Sequence, residues 1–251
     1  MALPISEEQA QTLTDHLTEL RFRLVRSAYG IVAGAIIMWN FADKLLEAIA
    51  KPIAPYLPNG KLVFLNPTDM FVAHMKLAGL SGLVLSSPIW LYQLWKFVSP
   101  GLYAHEKKYS LAFIFSSILL FLLGSSFCFF FVLPAGLKFL LEFGASAGQA
   151  MITLPEYLSF FVTMIVVFGA AFELPMLIVV LGLFGIVDQK FLREKRRYAI
   201  VIMAVAAAIV TPPDVLSMMM LLVPLWLLYE ASILVVGITG RRKTRSDVDG
   251  I

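Results

Sequence analysis

The chain is short of what a water-soluble fold needs. Charged residues make up 15% of its 251 and hydrophobic ones 59%, against roughly 25% charged in an ordinary soluble domain. Most of its surface has no polar cover, which makes the bilayer its expected solvent. Cysteine is nearly absent. Cys128, inside the apolar run from Phe127 to Leu133, has no partner for an internal disulfide and cannot build a cysteine cage for a metal; it reads as packing. The three histidines, His16, His74 and His105, stand far apart with no familiar metal-ligand spacing, so neither metal nor cofactor is expected. No P-loop and no internal repeat occur, which argues against nucleotide-driven chemistry and an inverted-repeat transporter. The net charge of +3 is not a nucleic-acid signature, because the basic residues fall in short clusters between apolar stretches rather than on an aromatic-interleaved face.

About 20 largely apolar residues cross a hydrocarbon core of about 30 Å. Six stretches qualify as candidates: roughly 24–42, 70–95, 109–133, 156–182, 198–211 and 215–236. The first 20 or so residues are polar and acidic, with no short apolar core and cleavage site, so the first helix is expected in the mature protein. The fifth candidate is bounded by Arg197 and Pro212 and measures about 21 Å at 1.5 Å per residue, too short for an ordinary bilayer. Pro224 and Glu230 interrupt the sixth. These two form a short hairpin turned by Thr211, Pro212, Pro213 and Asp214, expected to thin the bilayer locally. The expectation is an all-α, polytopic six-helix domain over 1–236, concave on one side, with a cytoplasmic tail over 237–251 that is charged and disordered from Gly240.

Lysine and arginine set the orientation. With six spans the termini share one side, and that side collects Arg21, Arg23, Arg26, Lys96, Lys107, Lys108, Lys190, Arg193, Lys195, Arg196, Arg197, Arg241, Arg242, Lys243 and Arg245. The other side receives Lys44, Lys51, Lys61 and Lys138, and Lys76 lies within the second span. The positive-inside rule then puts both termini in the cytoplasm. Trp39, Trp90, Trp95 and Tyr103 fall near span ends, where amphipathic rings favour the interface. The loop over 43–69, with Pro52, Pro55, Pro58 and Pro67 around the amphipathic piece Leu45 to Ala50, reads as a rigid cap. A second outer loop is expected over 134–155.

Few residues offer chemistry. Glu173, in Phe168-Gly169-Ala170-Ala171-Phe172-Glu173-Leu174-Pro175, falls about nine residues from the cytoplasmic end of the fourth span. A charge there costs several kcal/mol unless protonated, paired or hydrated, so an intramembrane carboxyl marks function by default. The plainer reading is a protonated glutamate bonded to a neighbouring helix. Pro175 removes a backbone hydrogen bond from the same span and predicts a kink. Near the amino terminus, Leu17, Leu20 and Leu24 form one helical stripe, with Glu19 and Arg23 at i, i+4 on a neighbouring face. Taken alone that is an ordinary surface pair worth a few tenths of a kcal/mol. Glu106, beside Lys107 and Lys108 on the same side, is by itself a solvated helix-start acid.

Four stretches together are more specific: His-Leu-x-Glu-Leu-Arg-x-Arg-Leu at 16–24, Pro-Gly-Leu-Tyr-x-x-Glu-Lys at 100–107, Phe-Gly-x-x-Phe-Glu-x-Pro at 168–175 and Thr-Pro-Pro-Asp at 211–214. In this order, and in a chain of this length, they resemble the TatC family over nearly the whole sequence. The resemblance implies a receptor and core subunit of the twin-arginine translocase, not an enzyme. Such a subunit binds the twin-arginine signal peptides of folded precursors and recruits the single-span subunits TatA and TatB, with export driven by the proton-motive force. It implies that Glu19 and Glu106 contact the arginine pair, that Leu20 and Arg21 shape that surface, and that Glu173 is a polar spot on the concave face. Thr211, Pro212, Pro213 and Asp214 would mark the hairpin that docks partner helices. It further implies a homo-oligomer within the complex, among membrane lipids; with no chloroplast-type transit peptide before the first span, a bacterial inner membrane is expected rather than a thylakoid, and the charge pattern leaves no nucleic-acid partner expected. A proton-coupled or small-solute transporter would need several polar residues converging inside the spans, and the fourth to sixth offer little besides Glu173 and Glu230. An intramembrane hydrolase would need a base, and the histidines lie outside the spans or at their start.

Overall fold

Proline and glycine positions decide how the long apolar segments bend and meet. The computed structural model describes residues 7–57, 60–98, 110–144, 151–211 and 214–248, with side chains from Leu17 to Ile238 except Ser110. The first helix, α1 (Glu7–Trp39), packs along α3 (Asp69–Leu85) and α4 (Ser87–Val98). The crossing with α3 is made by glycines. A Cβ added to Gly34 would stand 2.8 Å from the Gly82 carbonyl oxygen, and one added to Gly82 would stand 2.7 Å from Ala35 Cα. The two backbones therefore meet directly, a geometry that larger side chains prevent.

The uninterrupted span expected over 70–95 is instead two helices bent by 57° between Leu85 and Ser87. Pro88 explains the break: it has no N–H to donate, and its ring disfavours helical geometry at Ser87. The span expected to end near 133 continues. Helix α5 (Ser110–Phe127) passes through a π-helical turn (Cys128–Val132) into α6 (Leu133–Gly144). Pro134 clashes with the carbonyl one turn back in a regular helix, and the wider turn just upstream accommodates it. Much of the second expected loop is therefore helix. Cys128 is fully buried, as its apolar context predicts.

The next span is α7 (Leu154–Ala171) followed by α8 (Leu174–Leu183), broken at Phe172 and Glu173 with Pro175 in the first turn of α8. A short helix, α9 (Gln189–Glu194), is capped by Asp188, whose Oδ1 accepts from Phe191 N at 2.6 Å. It leads into α10 (Arg196–Val210) and α11 (Val215–Val248). Leu77, Leu158, Phe168 and Ile233 lie at the fully buried centre.

Opposite the termini, a cap closes the bundle. It consists of α2 (Ala42–Ala50) and a 3-10 turn (Ala54–Tyr56), with Ile49, Ile53 and Leu57 buried beneath them. Tyr157 Oη donates to the Ile49 carbonyl at 2.6 Å, and Leu154 N donates to the Val63 carbonyl at 2.8 Å, joining the two connections at that end. The Asp69 carboxylate accepts from Leu65 N at 2.9 Å and Asn66 N at 3.0 Å, fixing the turn into α3.

Among the described residues, four stretches are long and apolar enough to cross a membrane: Leu17–Trp39, Leu111–Phe143, Leu154–Leu183 and Val215–Ile238. The bent α3–α4 pair makes a fifth. The short sixth is α10, whose 15 residues span about 22 Å. Pro224 does not interrupt α11, which also runs helical through the segment expected to be a disordered tail. The hairpin is nonetheless short where α10 and α11 face each other. At its open end Arg196 Nη2 meets Glu230 Oε2 at 2.7 Å, only about 24 Å of helix from Asp214. Beyond Glu230, Ser232, Ile233 and Val236 of α11 are buried while Leu234, Val235 and Ile238 stay exposed; α11 packs on α8 and α9, and Tyr229 Oη donates to the Leu192 carbonyl at 2.9 Å. Glu230, which reads as a break in an apolar run, is the counter-ion of Arg196. Both side chains remain partly exposed, so a double-mutant cycle with Arg196→Gln and Glu230→Gln, read from thermal unfolding in detergent, is expected to give a coupling of only about 0.2–1 kcal/mol.

Candidate functional site

The carboxylate at the start of the membrane helix is already engaged. Glu19 and Arg23 face each other across one turn of α1, with Arg23 Nε donating to Glu19 Oε1 at 3.0 Å and Nη2 to the same oxygen. The i, i+4 spacing dictates this pair. Its setting is less ordinary: the Arg23 side chain is 13% exposed and the Glu19 side chain 35%. Around it Leu17, Leu20, Arg21, Phe22 and Leu24 are exposed, and the Arg26 guanidinium lies 4.1 Å from the Phe22 ring centroid. A carboxylate that accepts two donors of one guanidinium, beside open apolar side chains, is chemically fitted to an arginine followed by an apolar segment. Glu106, expected to join it, lies outside the described residues.

Glu173 sits at the α7–α8 break, immediately before α8. The sequence reading missed its partners. Ser117 on α5 donates to Glu173 Oε2, and Trp95 Nε1 on α4 donates to Ser117 Oγ at 2.7 Å. An indole N–H can only donate, so it takes an acceptor site on the hydroxyl and leaves the serine proton for the carboxyl. Three helices are thereby tied to one polar point. Glu173 Oε1 is buried without a hydrogen-bond partner among the described residues. Trp95, expected at the interface, is 8% exposed, and the polar atom it serves lies too far along the chain for any spacing rule to reveal.

The hairpin residues have mainly local roles. Thr211 is buried, with Oγ1 donating to the Ala207 carbonyl at 2.8 Å. Asp214 precedes α11 and caps it, its Oδ1 accepting from Ser217 N at 2.7 Å; Pro212 and Pro213 lie outside the described residues. Asp214 Oδ2 and Ser217 Oγ are buried without hydrogen-bond partners among the described residues. Removing the cap with Asp214→Ala is expected to cost about 1 kcal/mol, seen as roughly fivefold faster amide exchange in the first turn of α11, with Asp214→Asn near wild type.

No group of three or more histidine, cysteine or acidic residues that could hold a metal occurs among the described residues. The chain does contain one Gly-x-Ser-x-Gly spacing, Gly144-Ala145-Ser146-Ala147-Gly148. It follows helix α6, not a strand, and so lacks the strand–turn–helix setting that makes this pattern a nucleophile elbow.

Long apolar helices, with one carboxylate where the first membrane stretch begins and another between helices, define a multi-pass membrane protein. The family model described as Sec-independent protein translocase protein (TatC) matches residues 15–224. The Sec-independent protein translocase protein TatC of Desulforapulum autotrophicum is 39% identical over 238 residues, covering 94% of this chain and 88% of that protein. Its namesake in Aquifex aeolicus is 39% identical over 233 residues, with 92% and 97% covered. A crystal structure of the twin arginine translocase receptor TatC superposes with a TM-score of 0.75 at 38% identity, covering 88% of this chain and 97% of that one. The same receptor in DDM gives 0.77 at 38% identity, with 87% and 98% covered. The chain belongs to the TatC family and is a component of Sec-independent protein translocation.

Proposed function

We propose that this chain is the receptor and core subunit of a twin-arginine translocase. It binds the signal peptides of folded precursors through Glu19 and Glu106, with Leu20 and Arg21 shaping the surface. It gathers TatA and TatB, with the hairpin at Thr211, Pro212, Pro213 and Asp214 as a docking element, and export draws on the proton-motive force. Both termini lie in the cytoplasm of a bacterial inner membrane, and several copies share one complex. The observation that carries this reading is the Glu19–Arg23 pair: the carboxylate at the start of the membrane stretch of α1 accepts two donors of one guanidinium through Oε1, the chemistry an incoming arginine would use. Arginine stays charged and presents a planar fork, whereas lysine is a point charge, so two carboxylates can favour the arginine pair. The test is equilibrium binding of a labelled twin-arginine peptide and its twin-lysine variant to the protein in nanodiscs. Binding at least about tenfold tighter for the arginine form is expected; equal affinities overturn the reading.

Glu173 belongs to the same reading as a polar contact for an inserted signal peptide or partner helix, because Oε1 has no hydrogen-bond partner among the described residues. Glu173→Ala is expected to slow export in membrane vesicles severalfold, with Glu173→Gln intermediate. Wild-type rates for both remove Glu173 from the account.

A further inference from the structure

One charged side chain within the membrane has no role so far. Lys76 follows Asp69 by seven residues, about 10 Å along α3 from the capped end. Its ammonium donates to Ser159 Oγ on α7 at 2.6 Å, and that hydroxyl gives its own proton to the Pro155 carbonyl at 2.7 Å. The ammonium has three donors. Among the described residues the ion pairs are Glu19–Arg23, Asp43–His74 and Glu230–Arg196, and none supplies Lys76 with a carboxylate. A cation at this depth is costly unless it meets a counter-charge or water.

The surface beside it suits a helix. Ser159, Thr163 and Ala170 are exposed on α7, at separations of four and seven that place them on one line. Thr163 Oγ1 is satisfied by the Ser159 carbonyl at 2.8 Å. On α3, one turn beyond Lys76, a Cβ built on Gly79 would find nothing within 4 Å. Small side chains on both walls admit a close backbone, as at other helix contacts in membranes.

We propose that this face of α3 and α7 docks a membrane-spanning helix carrying a carboxylate in the third of its length nearest the cap, with Lys76 as the counter-charge. A helix delivers its acid at the depth of Lys76. A lipid phosphate would have to sink from the interface past Glu156, whose exposed carboxylate lies one turn nearer the cap and repels it. The proposal rests on reading the chain as a subunit that gathers single-span partners, but the two fail separately: arginine selectivity tests that reading, and acid selectivity of helix docking tests this one.

The experiment places a photoreactive side chain at Thr163 in the full-length protein in liposomes. The probes are synthetic single-span leucine–alanine helices bearing glutamate, glutamine or lysine at the matching depth. The glutamate helix is expected to label at about three- to thirtyfold lower concentration than the glutamine helix. Lys76→Gln should erase that preference, Lys76→Arg should keep it, and Lys76→Glu should transfer it to the lysine helix. Equal labelling by the glutamate and glutamine helices, a preference that survives Lys76→Gln, or labelling of phospholipid alone overturns the proposal.

Discussion

Replacing Glu19 with alanine is expected to weaken twin-arginine peptide binding by at least about tenfold while leaving membrane insertion intact. Hydrogen bonds to charged groups contribute about 1.5–3 kcal/mol each, and a bidentate guanidinium–carboxylate contact makes two of them. Insertion depends instead on the apolar length of α1 and on flanking basic residues, neither of which changes. Glu19→Gln keeps shape and one acceptor oxygen but removes the charge, so it should fall close to alanine. Arg23 loses its partner in Glu19→Ala and its counter-charge, though not an acceptor, in Glu19→Gln. Arg23→Gln is the control, because it removes the internal guanidinium without touching the carboxylate and should not mimic Glu19→Ala. Peptide titration in nanodiscs reads binding, and carbonate extraction of membranes reads insertion. Unchanged peptide binding in Glu19→Ala and in Glu106→Ala contradicts the assignment.

Gly82→Leu is expected to break the α1–α3 crossing. The added Cβ alone meets Ala35 Cα at 2.7 Å and the Gly34 carbonyl carbon at 2.9 Å. Both obstacles are backbone, which cannot swing aside as a flexible side chain would, so the helices must part. Overpacking of a fitted interface costs about 1–3 kcal/mol or more, and α1 has little else to hold it: only 6% of its membrane stretch is buried. A disulfide between cysteines placed at Gly30 and Ile89, whose atoms approach across the α1–α4 contact, should form readily in the parent and poorly in Gly82→Leu. Gly79→Leu, on the same helix but facing open space, should leave both that disulfide and the thermal midpoint in detergent near the parent values. Displacing α1 also displaces Glu19, so the Gly82 variant should lose peptide binding without any change to the binding residues.

What the sequence revealed and concealed divides along physical lines. Length and apolarity expose spans, so the six segments and the shortness of α10 were legible, as was the Pro175 break beside Glu173. Local spacing exposes contacts within one helix, so Glu19 and Arg23 could be paired on paper. Contacts between helices carry no such signal. Trp95, Ser117 and Glu173 lie on α4, α5 and α8's threshold, and only the fold brings them together. Prolines misled in both directions. Pro88 breaks a helix that hydropathy presents as continuous, whereas Pro134 and Pro224 sit within helices they were expected to end or interrupt, the first accommodated by a π-helical turn. Glu230 looked like an interruption because its counter-ion, Arg196, lies on another helix.

The central claim, that the entrance of α1 recognises a pair of arginines, is tested most directly by photocrosslinking from Leu20, which is exposed beside Glu19 and can be replaced without removing the carboxylate. In membranes containing the full-length protein, a twin-arginine precursor should label from this position and its twin-lysine variant should not. Equal labelling of the two precursors, or of neither while the protein is inserted and intact, contradicts the account.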